Sequence, residues 1–261
     1  MRTYAFRALT AATFAWLAFG QTPADPGVDR VFYLAQTDTP QNVQEITNIV
    51  RAMADTPATF DPAKKTMSIH ATSAQIALAE WLLSEMDRPA SLPPAPVPAV
   101  HPYTNERGQG EVVRVFSLAY AVSPVNLQEL TNLLRSTSDM QRVFPYNTLK
   151  VLVARGSADQ MALADWLVQQ LDRPPGPPSP DPGTRELRVT NTIVNTVRVF
   201  YLTHDQSPQD IQAIVNQVRA TAKVQRIYPN NAQHAVAVSG TADQIAAVGQ
   251  LVKQLDQPPS R

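Results

Sequence analysis

Residues 114–134 read RVFSLAYAVSPVNLQELTNLL. Phe116 and Leu118 alternate with Val115 and Ser117, the period-two pattern of a strand with one buried face. Ser123-Pro124 then announces a helix: a hydroxyl at the N-cap accepts a backbone N–H, and proline at the first helical position gives up only a donor that would have been orphaned. Leu127, Leu130 and Leu134 follow at spacings of three and four, which place them on one stripe. Truncating Leu130 to Ala is therefore expected to cost about 2–5 kcal/mol by opening a cavity.

The same stretch occurs three times. RVFYL opens at Arg30 and again at Arg198, Thr39-Pro40 and Ser207-Pro208 repeat the cap, and Met86-Asp87-Arg88-Pro89, Leu171-Asp172-Arg173-Pro174 and Leu255-Asp256-Gln257-Pro258 close the copies. The second and third copies are offset by 84 residues throughout, and the first is expected to be one residue shorter near Gln75, opposite Asp159. Within each copy two short strands are predicted after the first helix, around Val143-Phe144 and Leu149 to Ala154 in the second. Pro145-Tyr146-Asn147 supplies turn residues between them. A second helix starts at Ser157-Ala158-Asp159-Gln160 or Thr241-Ala242-Asp243-Gln244, a hydroxyl cap with Gln in the first turn, and its inward stripe is Met161, Ala164, Leu167, Val168 and Leu171. The fold class is thus α+β, three βαββα units.

The unit boundaries are 28–89, 111–174 and 196–258. Residues 90–110 and 175–195 hold much of the chain's complement of 23 prolines and read as linkers, semi-rigid because proline-dense chain favours extended polyproline conformation. The units are expected to be held apart as beads on a jointed string. Residues 1–20 read as a cleavable signal peptide, with Arg2 and Arg7 before an apolar run ending Ala18-Phe19-Gly20. The run is shorter than the roughly 20 residues a membrane span needs, so no transmembrane segment is expected in the mature chain. With 22 basic and 22 acidic residues there is no field to hold a nucleic acid. The absence of cysteine removes disulfides, thiolate metal sites and cysteine nucleophiles.

The RVFxL opening, the hydroxyl-Pro cap, the turn before the third strand, the S/T-A-D-Q helix start and the LD-x-P close together resemble the periplasmic N-domain repeats of secretins, the short domains of type II and type III secretion channels. The resemblance implies small ring-building βαββα domains acting by packing on protein partners: secretin or pilus components, or further copies of the chain. Secretins continue into a barrel-forming domain. No long alternating strands occur here, so the chain is expected not to be the channel itself. A periplasmic or secreted, non-enzymatic assembly or adaptor protein of a secretion or type IV pilus apparatus is implied; the alternative is a periplasmic glycan- or peptide-binding protein. The unit also resembles nucleic-acid-binding KH domains, but the Gly-x-x-Gly clamp of that class is missing and Gly156 and Gly240 read as turn residues.

No catalytic residue, metal site or cofactor is expected, because His70, His101, His204 and His234 are scattered without a repeated acid or nucleophile. Asp87, Asp172 and Asp256 recur after a helix and before a proline, the place of a structural stop. The candidate interaction residues are Trp81, Trp166, Arg30, Arg114 and Arg198. The two tryptophans lie five residues after Ile76 and Met161, about 140° round the helix, and should be partly exposed, as contacts for the chain's own linkers or for a partner. Gln250 takes their place in the third unit. The arginines are expected to pair with the recurrent aspartates or to meet a partner.

Overall fold

Thr39, Ser123 and Ser207 each accept the backbone N–H three residues on, from Asn42, Asn126 and Asp210 at 3.1–3.2 Å. They open helices α1 (Pro40–Ala54), α3 (Pro124–Thr137) and α5 (Pro208–Ala222). Thr72, Ser157 and Thr241 do the same for α2 (Ser73–Met86), α4 (Ala158–Leu171) and α6 (Ala242–Leu255), with a reciprocal capping box from Gln75, Gln160 and Gln244. Each of these glutamines also donates to the carbonyl of a left-handed residue just after the preceding helix, Asp55, Asp139 or Lys223. The recurrent Gln therefore ties the two helices of each unit. Gly156 and Gly240 end the preceding strands, where a Cβ would stand 2.9 and 2.8 Å from the glutamine oxygen.

The computed structural model describes residues 27–37, 39–91, 99–105, 107–174, 183–188, 194–204 and 207–258. The segment read as a signal peptide and most of the linker prolines lie outside the described residues. The strands of the first unit are β1 (Val28–Tyr33), β2 (Ala58–Asp61) and β3 (Thr66–Ala71), ordered β1-β3-β2 and antiparallel. The second and third units repeat this with β5 (Gly110–Ser117), β6 (Arg142–Tyr146) and β7 (Val151–Gly156), then β9 (Val194–Tyr201), β10 (Arg226–Asn230) and β11 (Ala235–Gly240).

Three expectations need correction. Part of each stretch read as linker is a strand: β4 (Ala99–Thr104) pairs with β5, and β8 (Thr184–Arg188) with β9, so the second and third sheets have four strands. Pro102 is tolerated in β4 because that strand lies at the sheet edge. The residue missing from the first unit is not near Gln75. Arg51 and Arg135 donate from the same helical position to the carbonyls of Ala58 and Val143, which places the deletion between Asp55 and Ala58, opposite Asp139 to Val143.

The third correction is the largest. The units are not beads. One apolar core joins α1 and α2 to Val113, Val115, Val151 and Val153 of the second sheet. Another joins α3 and α4 to Val197, Val199, Ala235 and Ala237 of the third. Layers alternate as sheet, helices, sheet, helices, sheet, helices, and each inner helix layer is covered on both sides. Leu130 is fully buried, as its stripe predicts. A stack buries residues on both faces of each inner sheet, where a domain of about sixty residues standing alone would bury only about 60% of its unfolded surface.

Candidate functional site

The contacts between units recur at fixed spacing. Glu45 accepts the backbone N–H and side-chain amide of Asn147 at 3.1 and 2.9 Å, and Glu129 accepts the same two donors of Asn231 at 3.1 and 2.5 Å. Asp55 pairs with Arg142 at 2.5 Å and Asp139 with Arg226 at 3.2 Å. A two-pronged Glu–Asn contact and a single Asp–Arg ion pair per interface orient one unit on the next, while the apolar layers supply the attraction.

The tryptophans belong to these interfaces. Trp166 is only 6% exposed and joins the core shared with the third sheet, which corrects its expected exposure. The angle places Trp166 away from the stripe that faces its own sheet, but α4 is covered on its second face by the third sheet as well. Trp81 is half-buried and packs on His101 of β4, ring centroids 5.2 Å apart. Gln250 is exposed on α6.

Arg30 and Arg114 pair with acids other than the recurrent aspartates. Asp87 accepts the backbone N–H groups of Ala35, Gln36 and Thr37, and Asp172 those of Ala119, Tyr120 and Ala121, all at 2.6–2.9 Å. Asp256 holds Thr203 and His204 in the same way. Each carboxylate clamps the loop after the first strand to the end of the second helix. Arg114 instead pairs with Asp165 of α4, and Arg30 lies 4.0 Å from Glu80 at the matching place on α2. Burial pushes the Asp165 carboxyl above its ordinary range, with Arg114 pulling the other way. Arg114 and Arg198 each lie 5.1 Å over the ring of the phenylalanine two residues on.

Two surfaces are left at the ends of the stack. On the first sheet, Val31 and Tyr33 are 52% and 80% exposed on the face that β5 and β9 bury, beside an Asp29–His70 contact of 2.8 Å. On the third unit, a groove of about 670 Å³ opens between β9 and α6, lined by Arg198, Phe200, Ile245, Gly249 and Lys253 among others. Nothing in the motifs marked this groove as a site, although Gly249 standing opposite Asp165 and Glu80 is its sequence signal. Among the described residues no group of His, Asp and Glu is placed to hold a metal, and no helix is long and apolar enough to cross a membrane.

Residues 197–261 match the family described as bacterial type II/III secretion system short domain. No curated protein sequence matches the chain. Among solved structures it is similar to the N-terminal domain of the secretin XcpQ from Pseudomonas aeruginosa, with 15% identity and a TM-score of 0.28 over 88% of this chain and 100% of that one. It is similar to Aeromonas hydrophila ExeD at 17% identity and TM-score 0.21, over 89% and 42% of the two chains. For the ETEC pilotin–secretin AspS–GspD complex the values are 16%, 0.23, 90% and 38%. The chain spans less than half the length of these last two. Residues 197–261 are thus similar to the type II/III secretion system short domain, and the internal repeat relates the two preceding units to them.

Proposed function

We propose that the chain is a periplasmic assembly or adaptor protein of a secretion or pilus apparatus, in which three short domains form one rod that holds protein partners in a set order. The observation that carries this is the repeated interface: the same Glu–Asn and Asp–Arg contacts join units one to two and two to three. A module that packs sheet on helix twice within one chain has the surfaces to pack on related modules in another. The match of the third unit to the secretion short domain supports a partner of that class.

Crosslinking in the native cell, with identification of what is captured, tests the proposal. Recovery of secretin or pilus components is the expected result. Capture of glycan with no such component would overturn it in favour of the binding-protein alternative.

A further inference from the structure

We infer that the open edge of β1 in the first sheet is a strand-addition site for an extended segment of a partner protein, one that sets Lys or Arg opposite Asp29 and apolar residues opposite Val31 and Tyr33. The inference rests on the adaptor proposal for who supplies the strand, and deepens it by naming where and how that partner is held. The chain itself fills the equivalent edge twice. β4 lies along β5 and β8 along β9, whereas among the described residues β1 pairs with β3 alone.

One bond fixes which backbone groups face that edge. Leu34 donates to the Lys65 carbonyl, just before β3, at 2.9 Å. By strand alternation Arg30 and Phe32 turn their N–H and C=O groups to β3, while Asp29, Val31 and Tyr33 turn theirs outward. The second sheet agrees: Leu118 donates to Lys150 in the same way, and Val113 and Val115 stand opposite His101 and Ala99 of β4. A sheet edge is a template for pairing unless it is blunted. β4, β6 and β10 each contain a proline, Pro102, Pro145 or Pro229; β2 runs between Pro57 and Pro62; β8 holds three charges in five residues. β1 contains neither proline nor lysine, and its Val31 and Tyr33 are exposed. The charge on its outer face is Asp29, whose side chain is 89% exposed beside His70. The strands that fill the equivalent edges put a basic residue there: His101 stands opposite Val113 and Arg185 opposite Val197, the residues that take the place of Asp29 in β5 and β9. An entering Lys or Arg would meet the carboxylate as a cross-strand pair of opposite charge. Its apolar neighbours would cover Val31 and Tyr33, and backbone pairing would supply the rest of the affinity.

The test uses the full chain and a fluorescein-labelled octapeptide that alternates Thr with Val, one central Val replaced by Lys. Fluorescence anisotropy should show it binding, and a peptide with Glu for the Lys binding at least about threefold more weakly. N-methylating the Lys and Val residues should abolish binding and N-methylating the Thr residues should not, because only the former turn their N–H groups to β1. Val31→Pro should weaken binding at least about tenfold, since it removes an edge donor. The Val31 N–H is not used by β3, so the sheet keeps its pairing, as β4 does around Pro102; thermal melting checks this. Asp29→Lys leaves the edge intact and should reverse the preference between the Lys and Glu peptides. No binding of any peptide, equal binding of the two N-methylated forms, or binding unchanged in Val31→Pro overturns the inference. So does dimerisation of the full chain that Val31→Pro abolishes, read by sedimentation velocity, since the occupant is then a second copy. Binding that appears only once residues 1–20 are removed also overturns it, since the occupant is then the chain's own first segment. If Val31→Pro still captures secretion components in cells, the adaptor proposal survives and the role of the β1 edge in it does not. If the peptides bind as expected while cells yield glycan alone, the edge site stands and the adaptor proposal falls.

Discussion

The two interfaces of the stack share a frame and differ in one residue at its centre. Both use the Glu–Asn and Asp–Arg contacts, but the first adds Arg155, whose side chain is 1% exposed and reaches Asp55 at 2.7 Å, Glu111 at 2.5 Å and the Met53 carbonyl, while lying 4.2 Å over Tyr103. The third unit has Ser239 there. The second interface compensates elsewhere: the Tyr201 hydroxyl donates to the Gln170 carbonyl at 2.9 Å, and Gln233 donates to that of Arg173 at 2.8 Å. The repeated contacts set how one unit sits on the next; the private ones make each pairing its own, so that a given helix layer fits its proper sheet.

The largest effect should come from that centre. Replacing Arg155 with Ala takes its cation from the partly buried Glu111 and leaves Asp55 with Arg142 alone, and breaking such a buried pair from one side costs about 3–5 kcal/mol. Arg155→Met, which keeps volume, should cost clearly less than Arg155→Ala, and Ser239→Ala should stay within about 1 kcal/mol of the parent. Urea unfolding of the full chain measures all three. Equal losses for Arg155→Ala and Ser239→Ala would mean the interfaces do not differ in this way.

The next contrast sets an inner helix layer against the terminal one. Ile49 and Leu133 are buried, whereas Gln217 at the same place on α5 is exposed; Leu163 is buried and Ala247 exposed. Leu133→Ala should therefore cost about 2–5 kcal/mol, and Gln217→Ala about 0.5 kcal/mol or less. Gln217 and Ala247 make the outer helix face of the third unit less apolar than the matching face of the first two. Converting Gln217 and Ala247 to Leu should make the chain self-associate with rising concentration, which sedimentation velocity would detect.

Smaller effects concern single polar contacts. Asn231→Ala removes the side-chain amide donor to Glu129 and leaves the backbone N–H, which should cost about 1–3 kcal/mol, with Asn147→Ala similar; the Glu129/Asn231 double variant should cost less than the sum. The smallest is a pH effect at Asp165. Its folded pKa is raised above the ordinary 3.8 mainly by burial, so the folded state holds this proton more tightly than the unfolded one. Its contribution to stability is fully present below the unfolded value and is lost as pH rises through the folded value. Asp165→Asn should flatten the stability curve over that window, measured by denaturant midpoint against pH.

Much of each unit was legible because its signals are local. Caps at Thr39, Ser123 and Ser207, the helix starts with Gln160 and Gln244 in the first turn, and alternation at Phe116 and Leu118 each act within a few residues, and repetition along the chain separates them from chance. The strands hidden in the proline-rich stretches were not legible: β4, with Pro102 inside it, becomes a strand only because the open edge of β5 offers partners for its backbone. Trp166 was misplaced for a related reason. An angle on a helical wheel says which side of α4 faces its own sheet, and it is silent on a second sheet delivered by the next unit.

The sequence by itself determined the βαββα order, the three-copy organisation, the capped helix starts and the inward stripes, since propensity, capping and periodicity depend on neighbours along the chain. Only the tertiary structure decided that the units stack, that Arg114 pairs with Asp165 rather than Asp172, and that the groove beside Gly249 is open. Those outcomes depend on which surfaces meet across 50 to 100 residues of chain, as the pairing of Glu45 with Asn147 does over 102, where desolvation and shape complementarity choose partners that no local pattern encodes.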